Sequence, residues 1–176
     1  RAESKLAVLV LSLRDNVFST TGYRLRYKPN AGELLLYHYL IDSTGKIYNG
    51  KYRPEDNLDC TDDKYAMHTG GLNTGSIGVS FCGMLGFKNN LNVGYYPLTR
   101  VQCESGWKFA AGQCKKHKIP TDKTGVKTHY EVGLELPKSK SAGKIDITCL
   151  PYETALSPPE IGDYIRKKVG WYLPKM

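Results

Sequence analysis

The sequence predicts a single domain of the α/β or α+β class built on one central sheet, and three observations carry the prediction. Residues 6–13, 34–41 and 76–81 are apolar runs of strand length, rich in Val, Leu and Ile, as buried strands are. Thr99 and Ser157 each stand three residues before a Gln or Glu, the reciprocal pattern that opens a helix. A chain of 176 residues suits one domain with a core that needs no covalent staples.

The elements follow in order. Residues 6–13 form the first buried strand. Residues 14–33 are polar and punctuated by Gly and Pro, and carry no clear helix. Residues 34–41 form the second strand, the turn Asp42-Ser-Thr-Gly45 reverses the chain, and residues 46–49 return as a hairpin partner. Residues 51–64 read as a long polar loop and residues 76–81 as a third core strand. Thr99 and Gln102 open a helix in which Cys103, Trp107, Ala110, Ala111 and Cys114 recur as a buried stripe, and Pro120 closes the segment. Residues 126–129 read as a short strand and residues 133–147 as loop. Ser157 and Glu160 open a last helix with Ile161, Ile165 and Val169 on one face. The domain is expected to span residues 1–176. No leader segment is evident, and Arg1 in place of Met is expected to mark a trimmed start.

Composition narrows the function classes. The net charge is +8, which favours polyanionic partners such as nucleic acid, anionic lipid or an acidic wall polymer. The charge is dispersed, with its densest runs at Lys115, Lys116 and Lys118 and at Lys138, Lys140 and Lys144. Without a basic–aromatic motif, nucleic acid is not an expected partner. The five cysteines show no CxxC spacing and read as reduced thiols. No apolar run approaches the ~20 residues of a membrane-spanning helix. Oligomeric state is not legible.

Two segments carry chemistry. Residues 65–81 pack His68, Asn73 and a series of glycines against a strand; glycines let a backbone approach a ligand closely, so this loop reads as a groove wall. Further on, His129 follows a short strand and Asp146 lies in a later loop, a pair able to converge on one metal. Lys144 is placed to stabilise an oxyanion beside it.

Several segments together resemble the zinc-type N-acetylmuramoyl-L-alanine amidases of phages and bacteria, relatives of the peptidoglycan recognition proteins. They are Tyr37-His-Tyr-Leu-Ile-Asp42 with Gly45-Lys-Ile-Tyr-Asn-Gly50, Pro54-Glu-Asp-Asn57, Ala66-Met-His-Thr-Gly-Gly71 with Asn73-Thr-Gly-Ser-Ile-Gly-Val79, Tyr96-Pro-Leu-Thr-Arg-Val101, Thr128-His-Tyr-Glu131 and Gly143-Lys-Ile-Asp-Ile-Thr148. They cover residues 34–151, leaving 152–176 as a C-terminal helix and tail. The resemblance implies a central mixed sheet flanked by helices and a zinc site in a groove on one face. It implies His129 and Asp146 as zinc ligands, Lys144 and Tyr37 as catalytic residues, and His68, Thr69 and Asn73 as the lining that receives peptidoglycan. The implied reaction is attack of zinc-bound hydroxide on the amide between N-acetylmuramic acid and L-alanine. The implied setting is an endolysin that passes from host cytoplasm to periplasm and wall, or a virion-associated lysin.

One departure stands out. The family's first ligand is a histidine at the end of the first strand, and here that region reads Val8-Leu-Val-Leu-Ser-Leu-Arg-Asp15. The position falls near Leu11 or Ser12. Another residue, His68 or Asp15, completes the site; or the chain is a degenerate, non-catalytic peptidoglycan-binding module, its zinc weak or absent; or the histidine was replaced to trap an inactive form.

Overall fold

The computed structural model describes residues 5–14 and 35–176. The expectation of no helix over residues 14–33 lies, beyond Arg14 itself, outside them, as does Asp15. Among the described residues five strands form one mixed sheet in the order β3–β2–β4–β1–β5: β1 Val8–Arg14, β2 Tyr39–Ile41, β3 Ile47–Asn49, β4 Ser76–Cys82 and β5 Val126–Thr128. Strand β1 runs parallel to both β4 and β5, β2 runs parallel to β4, and β2 and β3 form the antiparallel hairpin. Among the described residues, helices α1 Arg100–His117, α2 His129–Glu135 and α3 Pro158–Tyr172 accompany the sheet.

Alternation along the central strands sends residues to two faces. Leu9, Leu11, Ile77, Val79 and Phe81 join Trp107, Ala110, Ala111 and Cys114 of α1 and Ile161, Ile165 and Val169 of α3 in one buried core. The stripes expected on both helices are therefore the ones buried. Thr99 caps α1, accepting from the Gln102 N–H. Its Gln102 side chain also donates to the carbonyls of Ile41 and Cys82, tying the helix start to β2 and β4.

Two sequence expectations are corrected. The second strand begins at Tyr39, and Leu35 and Leu36 are helical; a short apolar run does not by itself separate buried strand from buried helix. The chain from His129 to Glu135 is helix α2, so Gly133 does not begin a loop and His129 is the first helical residue rather than a strand end. Thr128 caps this helix and Glu131 closes the box back onto the Thr128 backbone. Among the described residues the cysteines are free thiols, and no helix is long and apolar enough to cross a membrane.

Candidate active site

The second face of the sheet carries the buried hydroxyls of Ser12, Ser76 and Ser80 beside Leu40 and Cys82. In the parallel register Leu11 pairs with Thr128 and Ser12 pairs with Ser80, so the residue after β5, His129, comes to lie beside Ser12. The Ser12 hydroxyl is 3.4 Å from His129 Nδ1, and Asp146 Oδ2 is 3.3 Å from the same nitrogen. Asp146 is held twice: its carboxylate accepts from the Leu13 N–H at 3.1 Å, and its carbonyl accepts from the Tyr130 N–H at 2.6 Å. The loop that delivers it is thereby pinned to β1 and to the first turn of α2.

The other ring nitrogen of His129 has a defined partner. Nε2 lies 3.1 Å from the Ser141 hydroxyl, and that hydroxyl donates to the Gly70 carbonyl at 2.8 Å. With its one proton spent on Gly70, Ser141 accepts from His129, so Nε2 carries the hydrogen. Nδ1 is left facing the Ser12 hydroxyl and the Asp146 carboxylate.

The spacing suits a metal ion. Ligands bound at about 2.0–2.1 Å in a tetrahedral shell are separated by about 3.3–3.4 Å, the separations observed around His129 Nδ1. The donor set is nitrogen, carboxylate and alcohol; among the described residues no three His, Cys, Asp or Glu side chains come together. Leu11 is part of the apolar core, so of the two positions considered for the first ligand only Ser12 faces the site.

A cavity of about 300 Å³ opens over this cluster. His129, Asp146, Lys144 and Tyr37 all line it, with an apolar wall from Leu13, Met84, Phe87 and Ile145. Four residues singled out in three separate segments of the sequence thus meet at one place. The apolar wall and Ser141 carried no motif; Ser141 was visible only as a polar residue in a basic loop.

His68, Thr69 and Asn73 are not brought to this cavity. His68 is 3% exposed and Thr69 is fully buried. The His68 ring sits where a Cβ on Gly78 would be, 2.3 Å from that position, so the glycine makes room for a side chain of the same protein rather than for a ligand. Its two nitrogens are taken by Thr69 and Ser76. Burial pushes its imidazole well below the ordinary value, and neighbouring His38 adds to the effect. Asn73 accepts from the Thr69 N–H and lines a separate shallow cavity with Tyr65 and Leu72.

His38 is likewise structural. Nδ1 accepts from the Gly78 N–H at 2.9 Å, so Nε2 donates to Asn57 Oδ1 at 2.9 Å. Asn57 in turn grips the Ala66 backbone at both its N–H and its carbonyl, and the Asn73 carbonyl. Burial lowers the His38 imidazole to about 4. The network fixes the loop carrying His68 against β4 and, through the chain, the neighbouring Tyr37.

The N-acetylmuramoyl-L-alanine amidase family profile matches residues 14–146. The fold resembles that of the hydrolase AmiA of Staphylococcus aureus, solved in complex with its ligand, at a TM-score of 0.58 and 17% identity, over 98% of this chain and 76% of that one. Weaker likenesses are to the amidase LysC of Clostridium intestinale (TM-score 0.47, 16% identity, 73% of this chain and 74% of that one) and to the Drosophila peptidoglycan recognition protein SD (0.46, 16%, 78% and 76%). No curated protein matches the chain.

Proposed function

Since the chain belongs to the N-acetylmuramoyl-L-alanine amidase family, we propose that it hydrolyses the amide joining N-acetylmuramic acid to L-alanine in peptidoglycan, in the cavity above His129 and Asp146. The observation that carries this reading is the convergence of Tyr37, His129, Lys144 and Asp146 on that one cavity. His129 Nδ1 and Asp146 would hold zinc, which when bound supplies Lewis-acid activation of water and carbonyl. Ser141 keeps the His129 lone pair aimed at the site. The Tyr37 phenol donates a hydrogen bond toward the scissile carbonyl oxygen. The Lys144 ammonium compensates the negative charge that develops there. Leu13, Met84, Phe87 and Ile145 keep bulk water from the reacting bond, which strengthens both interactions. The net positive charge favours contact with an anionic envelope.

A second reading is a peptidoglycan-binding protein that does not cut. One observation favours it: an alcohol, Ser12, stands where a stronger ligand is expected. The two readings separate on a soluble N-acetylmuramyl pentapeptide incubated with the zinc-supplemented protein. The amidase releases peptide with a free L-alanine amine, and Lys144→Ala slows release by ~10²–10³-fold, the loss typical of one charge-stabilising group. Binding of the muramyl peptide without any release favours the second reading.

A further inference from the structure

We propose that Ser12 is the third protein ligand of a divalent metal site completed by His129 Nδ1 and Asp146 Oδ2, an inference that rests on the metal dependence of the reading above.

Four observations converge on Ser12. Its hydroxyl is fully buried and lies 3.4 Å from His129 Nδ1, while Asp146 Oδ2 lies 3.3 Å from the same atom. These are the edge lengths of a tetrahedral shell with about 2.0 Å bonds, and a separation of 3.4 Å is long for a hydrogen bond to a ring nitrogen. The Ser141–Gly70 hydrogen bond commits Nε2 of His129 to Ser141, which leaves Nδ1 as the nitrogen turned toward Ser12 and Asp146. Next to Ser12 on β4, in register and therefore on the same face of the sheet, Ser80 buries a hydroxyl that has no hydrogen-bond partner among the described residues.

The proposal changes what the site selects. With imidazole, carboxylate and alcohol as donors, it is harder and weaker than a site containing a second imidazole or a thiolate. Zinc loses part of its advantage over oxygen-preferring ions such as manganese. A serine hydroxyl is a neutral ligand, so the site carries the single negative charge of Asp146 and leaves the bound ion more positive than a thiolate would.

Cobalt(II) tests this without recourse to activity. The protein, stripped by chelator, is titrated with Co²⁺ and followed by its visible d–d absorption, with affinity for Co²⁺ and Zn²⁺ taken from competition with a chromophoric chelator. One equivalent of tetrahedral-type cobalt is expected. Ser12→Ala is expected to weaken binding on the order of tenfold, the loss of one weak donor. Ser12→Cys, which preserves side-chain size, is expected to add a thiolate-to-cobalt charge-transfer band and to tighten zinc binding at least ~100-fold. Unchanged affinity in Ser12→Ala, or absence of the charge-transfer band in folded Ser12→Cys, overturns the proposal. So does a wild-type protein that takes up no cobalt while Ser12→Cys does, because the serine is then a gap and not a ligand. Metal bound through Ser12 without amide cleavage leaves this proposal standing and removes the amidase reading.

Discussion

The hydroxyl of Ser141 decides which nitrogen of His129 faces the cavity, because its single proton is committed to the Gly70 carbonyl. Groups that orient a metal-binding histidine in this way are worth ~10–100-fold in metal affinity. Ser141→Ala is expected to lose affinity in that range in a Co²⁺ titration, with little change in thermal stability beyond that of one buried hydrogen bond. His38 shows the opposite use of a histidine. Its imidazole is held near 4 by burial, below the ordinary 6.5, so the unfolded chain takes up the proton first. The stability His38 contributes is complete above pH 6.5 and is lost as pH falls toward about 4, a difference of about 3 kcal/mol. Urea midpoints across that range are expected to fall in the wild type and to fall less in His38→Gln. At this scale the sequence singled out Tyr37, His129, Lys144 and Asp146 by their chemistry, and the four line one cavity. His68, singled out by its glycine-rich setting, has its ring over Gly78 and does not line that cavity.

Helix α2 is the element on which the site depends, and it was not read from the sequence. Its signal was present: Thr128 and Glu131 have the same three-residue spacing as the two helix starts that were recognised. Seven residues are too short to show a 3.6-residue period, so the box went unread. The helix is anchored from outside. Glu131 makes a bidentate ion pair with Arg166 of α3 at 2.9 Å, both nearly buried, and Arg166 also donates to the Val126 carbonyl. Burial works to raise the Glu131 carboxyl, but hydrogen bonds from Arg166 and the Thr128 backbone, with the Arg166 charge, hold it below the ordinary value. This stability is present above the ordinary carboxylate range and is lost in acid as the carboxyl protonates. Removing Glu131 leaves the buried Arg166 with the exposed Asp163 carboxylate as its remaining ion-pair partner, at a cost of about 3 kcal/mol, the low end for a broken buried pair. Glu131→Ala is therefore expected to lower the urea midpoint strongly and to weaken metal binding with it, since α2 begins with His129. A stability change below about 1 kcal/mol contradicts this anchoring role.

At the scale of the molecule, one face of the sheet is packed against α1 and α3, and among the described residues the other carries Ser12 and Ser80 beside the small apolar cluster of Tyr37, Leu40 and Cys82. That division was legible in the apolar runs and in the helix stripes, whose buried residues are the expected ones. The parallel register that sets Ser12 between Ser80 and His129 was not, because strand pairing is decided by contacts distant in the chain. The expected first-ligand position could be narrowed to Leu11 or Ser12 and no further; the pleat assigns Leu11 to the core and Ser12 to the site. The central claim is that the face carrying Ser12 is an amidase centre. The most direct measurement is a product analysis of purified peptidoglycan after incubation with the zinc-loaded protein. The account predicts stem peptides with new amino-terminal alanine and glycan chains bearing free lactyl carboxylates, both abolished by His129→Ala. Peptidoglycan that binds the folded, zinc-loaded protein yet yields neither product would contradict it.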